Sequence, residues 1–290
     1  MTQAIVAQAF GAQSMVAPLS AVFVKRPGAA FGRAFEDPAH GFLRPVDLPA
    51  AQAEHDGLCA TLRDLGVAVH ALASESAGPD LCYTFDPSLV TDRGAIPLRS
   101  GKAGRRAETA VHEAWYADHG IPVLGRIEAP GTVDGGDTFW LDPGTFCIGR
   151  TLRTNSAGIA QLAALVGGDV RVFDVPYGEG PERLIHLLSL ISPVADDLAV
   201  VYLPLLPVGL WGLLVERGIG MVEVPEAEFE TLGPNVLAVR PGVVVMAAGN
   251  PVTAGRLRER GVEVHEVPLA EVGGNGSGGP TCLTRPVRRG

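Results

Sequence analysis

Cys282 stands directly behind a glycine-rich run, Gly273-Gly274-Asn275-Gly276-Ser277-Gly278-Gly279-Pro280-Thr281. Glycine permits backbone conformations and close approaches that a Cβ forbids, so a ligand can come near the sulfur. Such a thiol is a nucleophile where it is accessible and its thiolate is favoured. The same residues equally describe a flexible loop beside an inert cysteine. A phosphate loop is excluded, because no lysine follows the glycines and no helix opens there; a dinucleotide fingerprint fails on the same context. Two acidic pairs come next. Asp134 and Asp137 flank two glycines in Gly131-Thr132-Val133-Asp134-Gly135-Gly136-Asp137, and Asp80 and Asp86 flank the strand-like Leu81-Cys82-Tyr83-Thr84-Phe85 before Pro87. Read alone, either pair is as well explained by turns, which favour Asp, Gly and Pro on backbone grounds. Of the seven histidines, His186 lies in the apolar stretch Leu184-Ile185-His186-Leu187-Leu188, where a satisfied core histidine is the ordinary reading. His112-Glu113 has no second histidine at the zinc-protease spacing.

The elements that would position these residues repeat. A helix-like stretch, a glycine and a short alternating strand recur: Leu58 to Leu65, Gly66 and Val67 to Leu72; Ala110 to His119, Gly120 and Ile121 to Ile127; Ile159 to Val166, Gly167-Gly168 and Val170 to Pro176. A fourth copy ends in Gly220 to Pro225, and a fifth runs Ala254 to Arg260, Gly261 and Val262 to Pro268. The glycine suits a left-handed helix C-cap, and the strand shows period-two alternation. Between copies lie further strand candidates at Leu81–Val90, Gly94–Leu98, Thr145–Gly149, Leu198–Leu203 and Asn235–Ala247. The class is α/β, and repeated mixed modules either close radially or form an ordinary open sheet. No linker divides residues 1–290, so one domain is expected.

Composition narrows the partners. A formal charge of −9 over 290 residues argues against nucleic acid or an anionic membrane and suits a cationic substrate. The uncharged run Leu198–Val215 is interrupted by Pro204, Pro207, Gly209 and Gly212, and reads as strand, turn and helix start, not as a membrane span. Met1 to Ser20 lacks the basic start of a secretory signal, and Cys59, Cys82, Cys147 and Cys282 are scattered without C-x-x-C pairs. Both fit a cytoplasmic protein with reduced thiols.

Taken in order, the motifs Asp80-x5-Asp86-Pro87, Arg105-Arg106-x-Glu108, Ile127 to Asp137, Arg153-Thr154-Asn155, His186-Leu187 and Gly278 to Cys282 resemble the dimethylarginine dimethylaminohydrolases, within the wider family of arginine deiminases and amidinotransferases. The resemblance runs from about Val22 to Arg288. It implies a five-module pseudo-symmetric α/β propeller (pentein) with the site on its axis. It also implies roles. Cys282 attacks the guanidinium carbon of arginine or an N-substituted arginine, His186 serves as acid and base, and Asp134 orients His186, with Asp137 left to the turn. Asp80 and Asp86 clamp the planar, cationic guanidinium, with Tyr83 between them, and Arg105 and Arg153 bind the α-carboxylate. No metal or organic cofactor is implied, and a homodimer is compatible.

Departures from the pattern bear on specificity. Phe85 stands where relatives often carry Glu, Leu188 stands where deiminases carry a substrate-holding Asp, and the helical insertion of deiminases is absent. Charge replaced by apolar surface predicts a substrate less polar than free arginine or altered at its α-amino end. Arginine deiminase, amidinotransferase and a non-catalytic propeller binding protein are the other readings. Lys25 to Arg44 is a candidate lid by the same resemblance.

Overall fold

The computed structural model describes residues 10–74, 78–178, 180 and 184–290; of the N-terminal stretch discussed above, residues 1–9 lie outside these. The first module holds β1 (Leu19–Val24), the short α1 (Ala29–Gly32), α2 (Leu48–Asp64) and β2 (Ala68–Ala71). The second has β3 (Ser88–Thr91), β4 (Gly94–Pro97) and α3 (Glu108–Asp118). The third has β5 (Thr138–Asp142), β6 (Thr145–Arg150), α4 (Ser156–Val166) and β7 (Asp169–Asp174). The fourth has β8 (Ile191–Ala195), β9 (Leu198–Val201), α5 (Val208–Glu216) and β10 (Gly220–Glu223). The fifth has β11 (Val236–Arg240), β12 (Val243–Ala247), α6 (Pro251–Glu259) and β13 (Glu263–Val267), and β14 (Arg285–Arg289) closes the chain.

The third, fourth and fifth modules share one plan: an antiparallel hairpin, a helix, and a strand returning parallel to the hairpin's second strand. In the first module β14 supplies the missing hairpin strand, pairing antiparallel with β1 while β2 pairs parallel. Both ends of the described chain therefore meet in one sheet. The hydrophobic core follows the ring. One cluster joins Phe23, Tyr116 and Val287 of modules one and two, and another joins Ile96, Phe146 and Leu162 of two and three. A third runs from Phe139 through Val200 to Val244, and the fourth returns from Leu237 and Val245 to Val22 and Leu58. Each apolar face is covered by the neighbouring module, so closure is radial and the fold is a five-module α/β propeller.

Local chemistry explains the element limits. The Asp47 carboxylate accepts from Ala50 N at 3.0 Å to start α2, and Asn155 Oδ1 accepts from Gly158 N at 2.8 Å to start α4. Helices α2 to α6 are each followed by a glycine of positive φ, Gly66, Gly120, Gly167, Gly218 and Gly261. In the fourth copy this residue is Gly218, while Gly220 opens the strand. Buried on both faces, β9 and β12 are entirely apolar, and the uncharged run resolves into β9, a turn and α5. Among the described residues no helix is long and apolar enough to cross a membrane.

Two strand expectations are corrected. Ile121–Ile127 shrinks to a single bridge between Ala95 and Val123, because Pro122 has no N–H to offer and only its carbonyl bonds Ala95 N. Leu81–Val90 is a 3-10 turn over Pro79–Cys82, an irregular stretch and only then β3. There Phe85 N donates to Cys282 O at 3.1 Å, so its hydrogen bonding goes to the nucleophile loop and not to a ladder.

Candidate active site

Segments entering the first strand of each module converge on the axis, around a cavity of about 170 Å³ lined by Asp80, Asp86, Arg153, His186, Asn235 and Cys282 among others. Every sequence-predicted site residue except Asp134 lines it; Asp134 is buried beside Arg153.

Cys282 sits half-buried at this cavity and takes a hydrogen bond from Asn235 Nδ2 at 3.2 Å. Burial pushes its thiol up to about 12, and the negative charge of Asp86 adds to this; N–H donors from Asn235 and Gly279 pull the other way. The glycines before it are needed for packing against Tyr83. A Cβ at Gly278 would lie 2.5 Å from the Tyr83 ring, and one at Gly276 would overlap its hydroxyl. Tyr83 lines the cavity while its hydroxyl donates to Val272 O at 2.9 Å, so it braces the loop that presents the thiol.

Asp86 accepts from Gly136 N at 2.8 Å and pairs with Arg105. Burial works to raise its pKa, but the guanidinium prevails and holds the carboxyl at about 2. A Cβ at Gly136 would lie 3.0 Å from the His186 ring and 3.1 Å from Asp86 Oδ1, so glycine lets acid and imidazole approach. Arg105, expected to meet a carboxylate of the substrate, is already paired within the protein. It is 4% exposed, and besides Asp86 it donates to Glu108 Oε2 at 3.0 Å and to the carbonyls of Asp80 and Tyr83, each at 3.1 Å. A group so fully engaged fixes the clamp and leaves little for a carboxylate. Arg153 faces the cavity, 3.5 Å from Asp134.

Asp137, and not the expected Asp134, stands against the imidazole. His186 Nδ1 lies 3.1 Å from Asp137 Oδ1, although among the described residues no directed hydrogen bond forms at that nitrogen, so the contact acts chiefly through charge. Burial lowers the His186 pKa, yet Asp137, with help from Asp86, outweighs it and raises the value above the ordinary 6.5. Asp137 is no mere turn residue: it accepts from Thr151 Oγ1 at 2.7 Å, Thr154 Oγ1 at 2.5 Å and Leu187 N at 3.1 Å. Asp134 is fully buried, accepts from Gly101 N at 3.1 Å, and is pushed upward by burial and by Asp86. Two acids with the same spacing to a glycine pair look alike in sequence, and only the backbone path decides which meets the imidazole.

Sequence reading passed over three contributors. Lys102 Nζ donates to Asp80 Oδ2 at 2.7 Å and to His40 O at 3.1 Å. It thereby ties the acid to the segment Lys25 to Arg44, whose His40 and Gly41 line the cavity. Asn235 had no motif around it. Glu108 lay within a motif, and its spacing of one helical turn from Arg105 was the available signal. Asp80, Asp86 and Glu108 face two cations, Arg105 and Lys102, so one acid is in excess. Burial pushes Glu108 up to about 7, although Arg105 opposes this, and its Oε1 finds no partner among the described residues. We take Glu108 as the group that keeps a proton. Between about 4.5 and about 7 the folded chain then holds more protons than the unfolded one, so stability falls as pH rises through that window. Glu108→Gln is expected to flatten that slope, with stability within about 1 kcal/mol of wild type near pH 6, whereas Glu108→Ala costs about 2–4 kcal/mol. Denaturant melts at several pH values check this, and a Gln variant as damaged as Ala would refute it.

Leu188 lines the cavity and Phe85 does not. Phe85 is buried, with the Arg285 guanidinium 3.9 Å from its ring centre. Of these two residues, only Leu188 forms part of the cavity wall.

Residues 78–207 and 208–289 match the profile of the arginine deiminase family. The chain belongs to that family. Among its relatives in the arginine deiminase family, an N(G),N(G)-dimethylarginine dimethylaminohydrolase of Streptomyces coelicolor is 33% identical, over 72% of this chain and 75% of its own. That of Pseudomonas aeruginosa is 29% identical, over 83% and 90%. An arginine deiminase of Listeria welshimeri is 28% identical over 73% of this chain, which spans 62% of that relative's length. Solved structures agree on the fold. A cysteine-to-serine variant of the Pseudomonas aeruginosa dimethylarginine dimethylaminohydrolase with citrulline gives a TM-score of 0.77 at 24% identity, covering 92% of this chain and 99% of its own. The N-terminal domain of a cyanobacterial arginine dihydrolase gives 0.80 at 19%, covering 93% and 98%.

Proposed function

We propose that this chain hydrolyses the guanidino group of an N-methylated arginine to citrulline and a methylamine. The observation that carries the reading is the grouping of Cys282, His186 and Asp86 on one cavity whose wall, at Leu188, is apolar. Asp86, already deprotonated, holds the guanidinium, and a cation bound there offsets the negative field that helps keep the thiol protonated. The thiol proton leaves to solvent, and the thiolate adds to the guanidinium carbon. His186, which holds a proton, gives it to the methylated nitrogen, and that C–N bond breaks to release the amine. A thiouronium on Cys282 remains. Neutral His186 then takes a proton from water as its oxygen adds to the same carbon, the C–S bond breaks, and citrulline departs. Arg153 is the cation placed to meet the α-carboxylate. No step calls for a metal or an organic cofactor.

Leu188 gives an N-methyl group an apolar neighbour where a third carboxylate would prefer N–H donors. Release of citrulline and amine from arginine, monomethylarginine, asymmetric dimethylarginine and agmatine tests this. The methylated substrates are expected to give a kcat/KM at least about tenfold above arginine, the scale of one apolar contact against an unpaired polar one. Highest turnover of arginine would make the chain a deiminase instead.

A further inference from the structure

The segments entering the first strands place Asp86 before β3, Asp137 before β5, His186 before β8 and Cys282 before β14. The corresponding place before β11 holds Asn235, which lines the same cavity. We propose that Asn235 is a catalytic residue of this site, whose amide holds the Cys282 sulfur as a thiolate during attack and again as the sulfur leaves. The assignment rests on Cys282 being the nucleophile.

The orientation of the amide follows from its partners. Asn235 Oδ1 accepts from Thr281 N at 3.1 Å, in the residue just before Cys282. Turning the amide over would set its NH₂ against that N–H, so Nδ2 is committed to the sulfur. Gly279 makes room for this, since a Cβ there would lie 2.5 Å from Asn235 Oδ1. The backbone is held on both sides: Asn235 N donates to Leu232 O at 3.0 Å, Val236 N to Ser192 Oγ at 3.1 Å, and Ser192 Oγ to Pro234 O at 2.7 Å. The donor therefore needs no reorganisation when charge appears on sulfur.

An N–H aimed at sulfur favours the anion over the thiol, because a charged acceptor bonds more strongly than a neutral one. It transfers no proton. It stays on the sulfur while the S–C bond forms, and it stabilises the same sulfur when that bond breaks and thiolate is released. A second role, fastening Thr281 and so the loop, comes from Oδ1. The two roles separate experimentally.

The test is the alkylation rate of Cys282 from neutral to mildly alkaline pH, read by mass spectrometry of the Cys282 peptide, with C282S as blank. Two reagents of different bulk are used, iodoacetamide and N-ethylmaleimide. N235L is expected to react about tenfold more slowly than wild type at each pH, by the same factor for both reagents, as a smaller thiolate fraction requires. Unchanged or faster alkylation in the folded variant, or factors that differ between reagents, would show a loop fastener only and overturn the proposal. Where N235L does not fold, N235A is read in the same way. Wild-type protein that is alkylated at Cys282 yet yields no citrulline would defeat the proposed hydrolysis and leave the amide–sulfur pairing standing.

Discussion

Cys282→Ser is expected to lower citrulline formation by on the order of 10⁴-fold or more while leaving the melting temperature nearly unchanged. Serine is close in size, and the half-buried site accepts its hydroxyl without a cavity or a clash. The hydroxyl, however, is far harder to deprotonate than a thiol, and binding a cation at Asp86 cannot close that gap. The variant should still bind substrate, since Asp86, Arg153 and the apolar wall at Leu188 are untouched. Equilibrium binding beside a turnover assay therefore checks both halves. Retained turnover would remove Cys282 from the reaction, and lost binding would mean that the loop and not the chemistry had failed.

Asp137→Asn and Asp134→Asn form the second decisive pair. Asp137 stands 3.1 Å from the imidazole and is a main reason that His186 keeps its proton against burial. With Asn there, burial prevails and the His186 pKa falls. The alkaline limb of the kcat/KM profile should then move to lower pH, and kcat should drop by up to about 10⁴-fold, the scale seen when the acid behind a catalytic histidine is neutralised. Asp134 accepts from Gly101 N and pairs with Arg153, so Asp134→Asn should act mainly on KM through Arg153 and leave the limb in place. Full pH profiles of both variants decide the matter. A limb that moved with Asp134 and not with Asp137 would restore the assignment that the sequence alone suggested.

The module plan also accounts for how the site tolerates so much burial. Arg105 is shared between Asp86 and Glu108 and also holds two carbonyls, so the clamp's charge is set before substrate arrives. Preorganised dipoles and charges cost no rearrangement at the moment of reaction. Asn235, held by Thr281 N and Leu232 O, fits the same logic.

Much of the fold was legible in the sequence because its signals are local. Glycine after each helix, period-two strands and apolar hairpins repeat at similar spacing, and a helix C-cap or a doubly buried strand selects residue types without reference to distant parts of the chain. The motifs holding Asp80, Asp86, His186 and Cys282 resembled, in their order, a family that acts on guanidino groups, and that resemblance, not the repeat, implied one guanidino site. What the residues could not say is which polar group meets which. Asp134 and Asp137 are interchangeable as text, but the turn over Gly135–Asp137 carries Asp137 to His186 and leaves Asp134 beside Arg153. Arg105 and Arg153 are both arginines in motifs and both line the cavity, yet Arg105 is held by acids and carbonyls while Arg153 is more exposed and has only a long contact to Asp134. Phe85 and Leu188 both replace charge, and only Leu188 reaches the site. Asn235 carried no signal, because its partner is the sulfur of Cys282 and the two meet only when the fifth module closes against the first. Pairing in the site is a matter of distances of about 3 Å between segments far apart in sequence, and closure of the ring alone sets those.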